Sequence, residues 1–361
     1  MNPKLGSAVS VVKISDSVLE FFKSNTREQV RIRVVDDMIL DIVNHLDGTL
    51  TINQITKQYD VEKESLVHLL KFLEAKGILD NANPHEDFHD YERFRRPINF
   101  LNDYSTSHNQ LVAMWKNIQN SCVLIIGLGA VGTWTACNLA QSGVKTFILL
   151  DPDIVDITNL HRQFGFEESS VGKYKVDVLE MKLKQYNPEI NVQKCIESLN
   201  QGTLQQFDDK KIDLIINCAD KPNVDTTSLW VGEYGMKHNI PHIVGGGYNL
   251  HLSLIGQTVI PGKTACVKCF QKQLEEENTI DSNRVKKLQV KNRKVGSFGP
   301  MCAMIASFVG MEAIKVLSKH IKPANVNRRG EMDVYTMDIM YHDFQRRKDC
   351  EWCGDEGKYR N

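Results

Sequence analysis

Four cysteines stand in two Cys-x-x-Cys pairs, Cys266 with Cys269 and Cys350 with Cys353. One short loop carrying two thiolates supplies half of a tetrahedral zinc site, and a second such loop completes it. The spacing predicts a closed, structural four-cysteine zinc site that ties the segment near Cys266 to the carboxy-terminal tail. The rest of the nine cysteines (Cys122, Cys137, Cys195, Cys218 and Cys302) lie in apolar surroundings and read as small core residues.

A second group of residues suits phosphate chemistry. The run Gly127-Leu128-Gly129-Ala130-Val131-Gly132 follows an apolar, strand-like segment and opens a helical one. Gly127 permits a tight turn, Gly129 lets a phosphate approach the backbone, and Gly132 lets helix pack on strand. The N–H groups and dipole at a helix start favour anions. Asp151 ends the next strand, where a carboxylate accepts hydrogen bonds from ribose hydroxyls. That much suits NAD as well as ATP. Asn159, Arg162 and Lys175 lie just beyond and favour ATP. Attack at an α-phosphorus needs charge neutralised on the pentavalent centre and on departing pyrophosphate. A dehydrogenase needs no such set. Asp220, in Asn217-Cys218-Ala219-Asp220, falls just past a strand end and suits Mg²⁺.

The hydrophobic periodicity supplies the elements that must position these groups. Helical spacing covers 109–119, 130–142, 173–186 and 224–238; strand patterns cover 122–126, 146–150, 192–196, 212–217 and 242–244. This alternation predicts an α/β domain over 108–361, a doubly wound, Rossmann-like, mostly parallel sheet. Residues 251–260 and 332–345 read as later, antiparallel strands, and 301–316 as an apolar helix. The charged stretch 271–297 lacks apolar periodicity and reads as a mobile loop over an active site. Residues 1–80 read as a separate α+β, winged-helix-like domain. It has strands at 8–14, 18–22 and 29–35, helices at 37–46, 52–58 and 63–76, and Gly77 at the last helix's C′ position. The polar segment 81–107 reads as a linker leading into an arginine arm.

The 361 residues are 42% hydrophobic with a formal net charge of -1, so no overall field favours nucleic acid or an anionic membrane. Residues 1–80 carry ten Lys/Arg against twelve Asp/Glu, which leaves their helix-turn-helix flavour without the charge that DNA binding needs. No apolar run reads as membrane-spanning and the start lacks a signal-peptide region, so a cytoplasmic location is expected.

These motifs, in this order over residues 91–355, resemble those of the E1-like adenylating superfamily. That superfamily comprises activators of sulfur-carrier proteins, ubiquitin-activating enzymes and some peptide-modifying enzymes. The resemblance rests on Gly127 to Gly132, Asp151-Pro152-Asp153, Asn159-Leu160-His161-Arg162-Gln163, Gly172-Lys173-Tyr174-Lys175, Ala219-Asp220 and the two cysteine pairs. It implies that Asp151 binds ribose, that Asp153, Asn159, Arg162 and Lys175 serve the nucleotide, and that Asp220 binds Mg²⁺. Arg93-Phe94-Arg95-Arg96 resembles the family's arginine arm. By that resemblance Arg96 reaches the ATP of a partner subunit, which implies a homodimer. Residues 270–299 hold no cysteine, so transfer to an enzyme thiol is not expected. Residues 1–80 are similar to leader-recognition domains of ribosomal-peptide biosynthesis, which take up a leader as an added strand. Gln29 to Val35 and Lys63 to Lys76 would form the groove, with Val30, Ile32, Leu66 and Leu69 within it. The combination implies ATP-dependent adenylation of a carboxylate on a precursor peptide. A pantocin-type activation of glutamate side chains with dehydrative cyclisation is favoured. A microcin-C-type peptide–AMP ligation and adenylation of a ubiquitin-like sulfur carrier are the alternatives.

Overall fold

The computed structural model describes residues 2–80, 87–244, 247–249, 252–277, 296–297 and 299–360. The chain forms two compact units, Met1–Ala113 and Met114–Asn361.

In the first unit, β2 (Val9–Ser15), β3 (Val18–Lys23) and β4 (Glu28–Arg33) form an antiparallel meander, and β1 (Lys4–Leu5) pairs with β5 (Leu79–Asp80). Between them lie α1 (Met38–Asn44), α2 (Ile52–Tyr59) and α3 (Lys63–Ala75). Thr51 starts α2 through a capping box: its hydroxyl accepts from Gln54 N–H, and the Gln54 side chain accepts from Thr51 N–H. Gly77 follows α3 at φ +63°, the left-handed conformation a C′ glycine supplies. Phe21, Ile42, Val43, Ile55, Leu66, Leu70 and Leu73 form the core, with Val30, Ile32 and Leu69 packed against it. Leu66 is therefore core rather than groove, at 3% exposure.

The segment expected as linker and arm contains α4 (Tyr91–Asn102), with Pro97 inside it. Its buried residues Tyr91, Phe94, Ile98 and Leu101 recur at helical spacing. The boundary between the units falls within α5 (His108–Gln119).

The second unit is built on a six-stranded sheet. From one edge the order is β13 (Gln257–Val259), β10 (His242–Val244), β9 (Leu214–Asn217), β6 (Cys122–Ile126), β7 (Thr146–Leu150) and β8 (Asn191–Cys195). All neighbours run parallel except β13 with β10. The inner strands are continuous apolar runs because helices cover both faces. Those helices include α6 (Ala130–Gln141), α7 (Lys175–Tyr186) and α8 (Val224–Lys237). From β6 the chain winds one way through β7 to β8 and then the other way through β9 to β10. Such a reversal opens a crevice at the strands' carboxyl ends.

A four-stranded antiparallel sheet follows: β11 (Gly247–Asn249), β12 (Leu252–Ile255), β14 (Arg328–Asp333) and β15 (Ile339–Asp343). The charged stretch is helical at its start, since α9 (Val267–Glu277) runs into it, and residues 278–295 lie outside the described residues. The apolar helix α10 (Gly299–Ser318) is, contrary to the sequence reading, long and apolar enough to cross a membrane. Its buried side carries Met301, Ile305, Val309 and Leu317. Glu312, also buried in it, accepts from the backbone N–H groups of Ala324 (2.9 Å) and Asn325 (2.7 Å). Those features suit the core of a folded unit.

Candidate nucleotide site and cysteine cluster

At the crevice the three central strands end side by side, Ile126 opposite Leu150 and Asn217. Beyond those ends lies a cavity of about 570 Å³, within the range of ligand pockets, about 300–1,000 Å³. Its walls bring together Gly127, Gly129, Asp151, Asp153, Asn159, Arg162, Lys175 and Asp220, eight residues singled out from sequence.

Gly127 sits at φ +85°, and a Cβ there would come within 2.8 Å of the Ala219 nitrogen. Gly132 lies behind the cavity, where a Cβ would collide with the Gly127 carbonyl at 2.0 Å. Gly129 caps α6, and a Cβ there would meet open space. Gly127 and Gly132 thus hold the turn's shape, whereas Gly129 leaves room for a ligand.

Asp151 is buried, and its carboxylate binds the turn, accepting from Leu128 N–H at 2.5 Å and Asp153 N–H at 2.8 Å. Burial raises its pKa despite the nearby Lys175. Asp153 is also pushed up by desolvation, but the ammonium groups of Lys175 and Lys221 outweigh this and hold it below the usual range. Lys175 starts α7 with its side chain only 6% exposed and its Nζ 3.2 Å from Asp153 Oδ2.

Asn159 closes a tight turn by accepting from Asp156 N–H at 3.0 Å. Arg162 is aimed by its Nη1, which donates to the Thr158 carbonyl at 2.6 Å. Its own carbonyl accepts from Trp134 Nε1 at 3.1 Å, and the Trp134 ring stacks on Phe164 with centroids 4.0 Å apart. Helix α6 therefore carries the glycine turn at one end and fixes the Arg162 loop from its side. Gln163 and Lys221 also line the cavity. The first ends the Asn159-to-Gln163 motif, and the second directly follows Asp220. Arg96 belongs to the first unit, where it is exposed on α4.

The four paired cysteines converge as their spacing predicts. Their sulfurs all lie within 4.8 Å of one another. Cys266 is 3.9 Å from Cys269 and 3.6 Å from Cys350, and Cys269 is 3.3 Å from Cys353. A tetrahedral Zn–S bond of about 2.3 Å sets sulfurs roughly 3.8 Å apart, so the cluster fits a zinc ion. The hydrogen bond with Cys269 pushes the Cys266 thiol far above its ordinary range, while Cys269, bonded by Cys266, is pulled below. A divalent cation would relieve that conflict by taking all four as thiolates. Arg347 N–H donates to Cys269 Sγ at 3.4 Å, the backbone support a metal-bound thiolate takes. Among the other cysteines, Cys302 is buried and its pKa is raised by burial.

The ThiF family profile matches residues 106–353. The chain belongs to the ThiF family, and it is E1-like in fold and motif order. The molybdopterin-synthase adenylyltransferase of Escherichia coli strain K12 is 29% identical over 237 residues, 66% of this chain and 88% of that protein. The adenylyltransferase and sulfurtransferase UBA4 of Meyerozyma guilliermondii is 26% identical over 234 residues, 64% of this chain. The match spans only 50% of the UBA4 protein's length. Among solved structures, Escherichia coli MccB with ATP superposes with a TM-score of 0.75 at 23% identity, covering 98% of this chain and 100% of that one. PaaA superposes with a TM-score of 0.74 at 20% identity, covering 94% of this chain and 99% of that one. At these identities the likeness is one of fold.

Proposed function

We propose that this protein is an ATP-dependent adenylating enzyme acting on a ribosomally synthesised precursor peptide. The observation that carries the reading is the cavity in which Arg162, Lys175, Asp151 and Asp220 meet at the glycine turn. A carboxylate oxygen of the peptide attacks the α-phosphorus of ATP. The bond from that phosphorus to the bridging oxygen breaks, and pyrophosphate leaves with the electron pair, giving an acyl adenylate. The turn's N–H groups and the start of α6 hold phosphates. Arg162, Lys175 and Asn159 balance charge as it moves to the leaving group. Asp151 binds ribose, and Asp153 keeps Lys175 in place. Asp220 would hold Mg²⁺, which spreads the polyphosphate's charge. Zn²⁺ on Cys266, Cys269, Cys350 and Cys353 would act as a structural cross-link.

The first unit supports a peptide substrate. The adenylyltransferase relatives above align with 64–66% of this chain, whereas the MccB fold covers 98%. One such structure is of a microcin C7 biosynthetic enzyme in complex with N-formylated MccA. Among the described residues, strand β4 pairs with β3 alone, leaving an edge on which an extended leader can add. Glutamate side chains are the favoured target, with the adenylate lost as the chain cyclises. The MccB likeness also supports a second reading, retention of AMP on the peptide. A sulfur-carrier substrate would leave the first unit without a task. The active form is a homodimer in which Arg96 of one protomer serves the other's nucleotide. Arg93 and Arg95 lie 3.7 Å from Asp90 and 4.0 Å from Glu92, whereas Arg96 has no such acid among the described residues.

The test is mass spectrometry of the peptide encoded beside the gene after incubation with enzyme and Mg-ATP. Loss of water supports glutamate activation, gain of a nucleotide supports ligation, and an unchanged peptide counts against both. Tight NADH binding with indifference to ATP would sink adenylation itself.

A further inference from the structure

Lys221 stands at the cavity wall directly after Asp220, on the loop leaving β9. Its Nζ lies 3.5 Å from Asp153 Oδ1 while Lys175 holds Oδ2 at 3.2 Å, so two lysines share one carboxylate. They differ in freedom. The Lys175 side chain is 6% exposed and its backbone N–H is tied to the Asp153 carbonyl at 3.0 Å. The Lys221 side chain is 79% exposed. Exposed ion pairs are worth about 0–1 kcal/mol, so Lys221 leaves Asp153 at small cost. Moving Lys175 would strand a buried ammonium.

The charge balance gives Lys221 a task. The lining carries three carboxylates, Asp151, Asp153 and Asp220, and three cations, Arg162, Lys175 and Lys221. Before Mg-nucleotide enters, the walls without Lys221 carry a net negative charge, and Lys221 brings them to balance. Lys221 shares its loop with Asp220, the carboxylate that would hold Mg²⁺, so an exposed side chain released from Asp153 can swing toward the metal-bound end of the nucleotide.

We propose that Lys221 is a mobile polyphosphate-binding residue. It rests on Asp153 in the free enzyme and moves to the β- and γ-phosphates when a nucleoside triphosphate binds. There it shares the charge of the departing pyrophosphate. This rests on the nucleotide reading above.

Calorimetry on the full-length protein tests it with Mg-ATP, Mg-pyrophosphate and AMP as probes. Lys221→Met should weaken Mg-ATP and Mg-pyrophosphate about tenfold, as loss of a charge-assisted contact does, and AMP less than about twofold. Lys221→Arg should recover most of the loss. An equal loss for AMP would assign Lys221 to the nucleoside end or to the fold, and unchanged Mg-ATP binding would leave it on the surface; either overturns the proposal. Wild-type protein that binds none of the three probes would overturn the nucleotide reading and Lys221's role together.

Discussion

At the scale of single residues, Gly127 and Gly129 separate shape from ligand room. A Cβ at Gly127 would press on the Ala219 nitrogen and the Cys218 carbonyl carbon, both backbone, at 2.8 Å, and φ is +85°. A strained backbone position of this kind costs on the order of 1–3 kcal/mol. Gly127→Ala should therefore lower the melting temperature by several degrees, together with ATP affinity. Gly129→Ala should leave the melting temperature unchanged and weaken ATP alone, because its Cβ occupies empty cavity. Calorimetric melts beside ATP titrations check both, and equal destabilisation by the two changes would refute the division. The charged residues sort by a different measure. Lys175→Ala or Arg162→Ala should each lower kcat about 10²–10³-fold, the scale of losing one preorganised donor. Arg162→Lys should rescue little, since the hydrogen bond from Nη1 to the Thr158 carbonyl aims a planar fork. Pyrophosphate exchange measures this, and near-normal exchange in Lys175→Ala would remove that lysine from the chemistry.

At the scale of elements, the cluster of four cysteines joins α9 to the tail, and polar contacts repeat the join. Arg347 forks onto Glu276 at 2.7 and 2.8 Å, and Lys272 meets Asp349 at 2.5 Å. The four cysteines share one core cluster with Ile126 and Leu150, the strand ends that line the cavity. Cys353→Ser should abolish stoichiometric zinc and lower the melting temperature, and a chelator should bring wild type toward the same value. Full zinc removal with an unchanged melt would mean that the polar joins suffice. The parallel sheet was legible in sequence because its inner strands are short apolar runs that alternate with segments of helical spacing. Helix α4 was hidden. Its apolar positions Tyr91, Phe94, Ile98 and Leu101 have helical spacing, but arginines surround them, and Pro97 falls where proline usually breaks a helix. The two-residue pairing of β1 with β5 carries no periodic signal at all. Within the site, motif order located eight of the residues that line the cavity. The pairing of Lys221 with Asp153 was not legible, because it joins the loops after two different strands.

At the scale of the whole molecule, the proposed homodimer requires each catalytic site to draw on two chains. If Arg96 serves its own protomer, a Lys175→Ala chain and an Arg96→Ala chain are both dead and stay dead when mixed. If Arg96 crosses to the partner, a mixed dimer regains one complete site: the Arg96→Ala protomer keeps Lys175 and receives Arg96 from its neighbour. Random reassortment of equal amounts makes half of the dimers mixed, each with one of its two sites restored. About a quarter of the wild-type rate should then return, as two-fold symmetry requires. The partners are denatured together and refolded, then assayed by pyrophosphate exchange. Arg93→Ala and Arg95→Ala, each paired with an acid on its own helix or at its cap, serve as comparisons that should retain activity unmixed. Recovery with Arg96→Ala places the arm in trans. No recovery, with each variant still dimeric by sedimentation, places Arg96 in its own protomer's site.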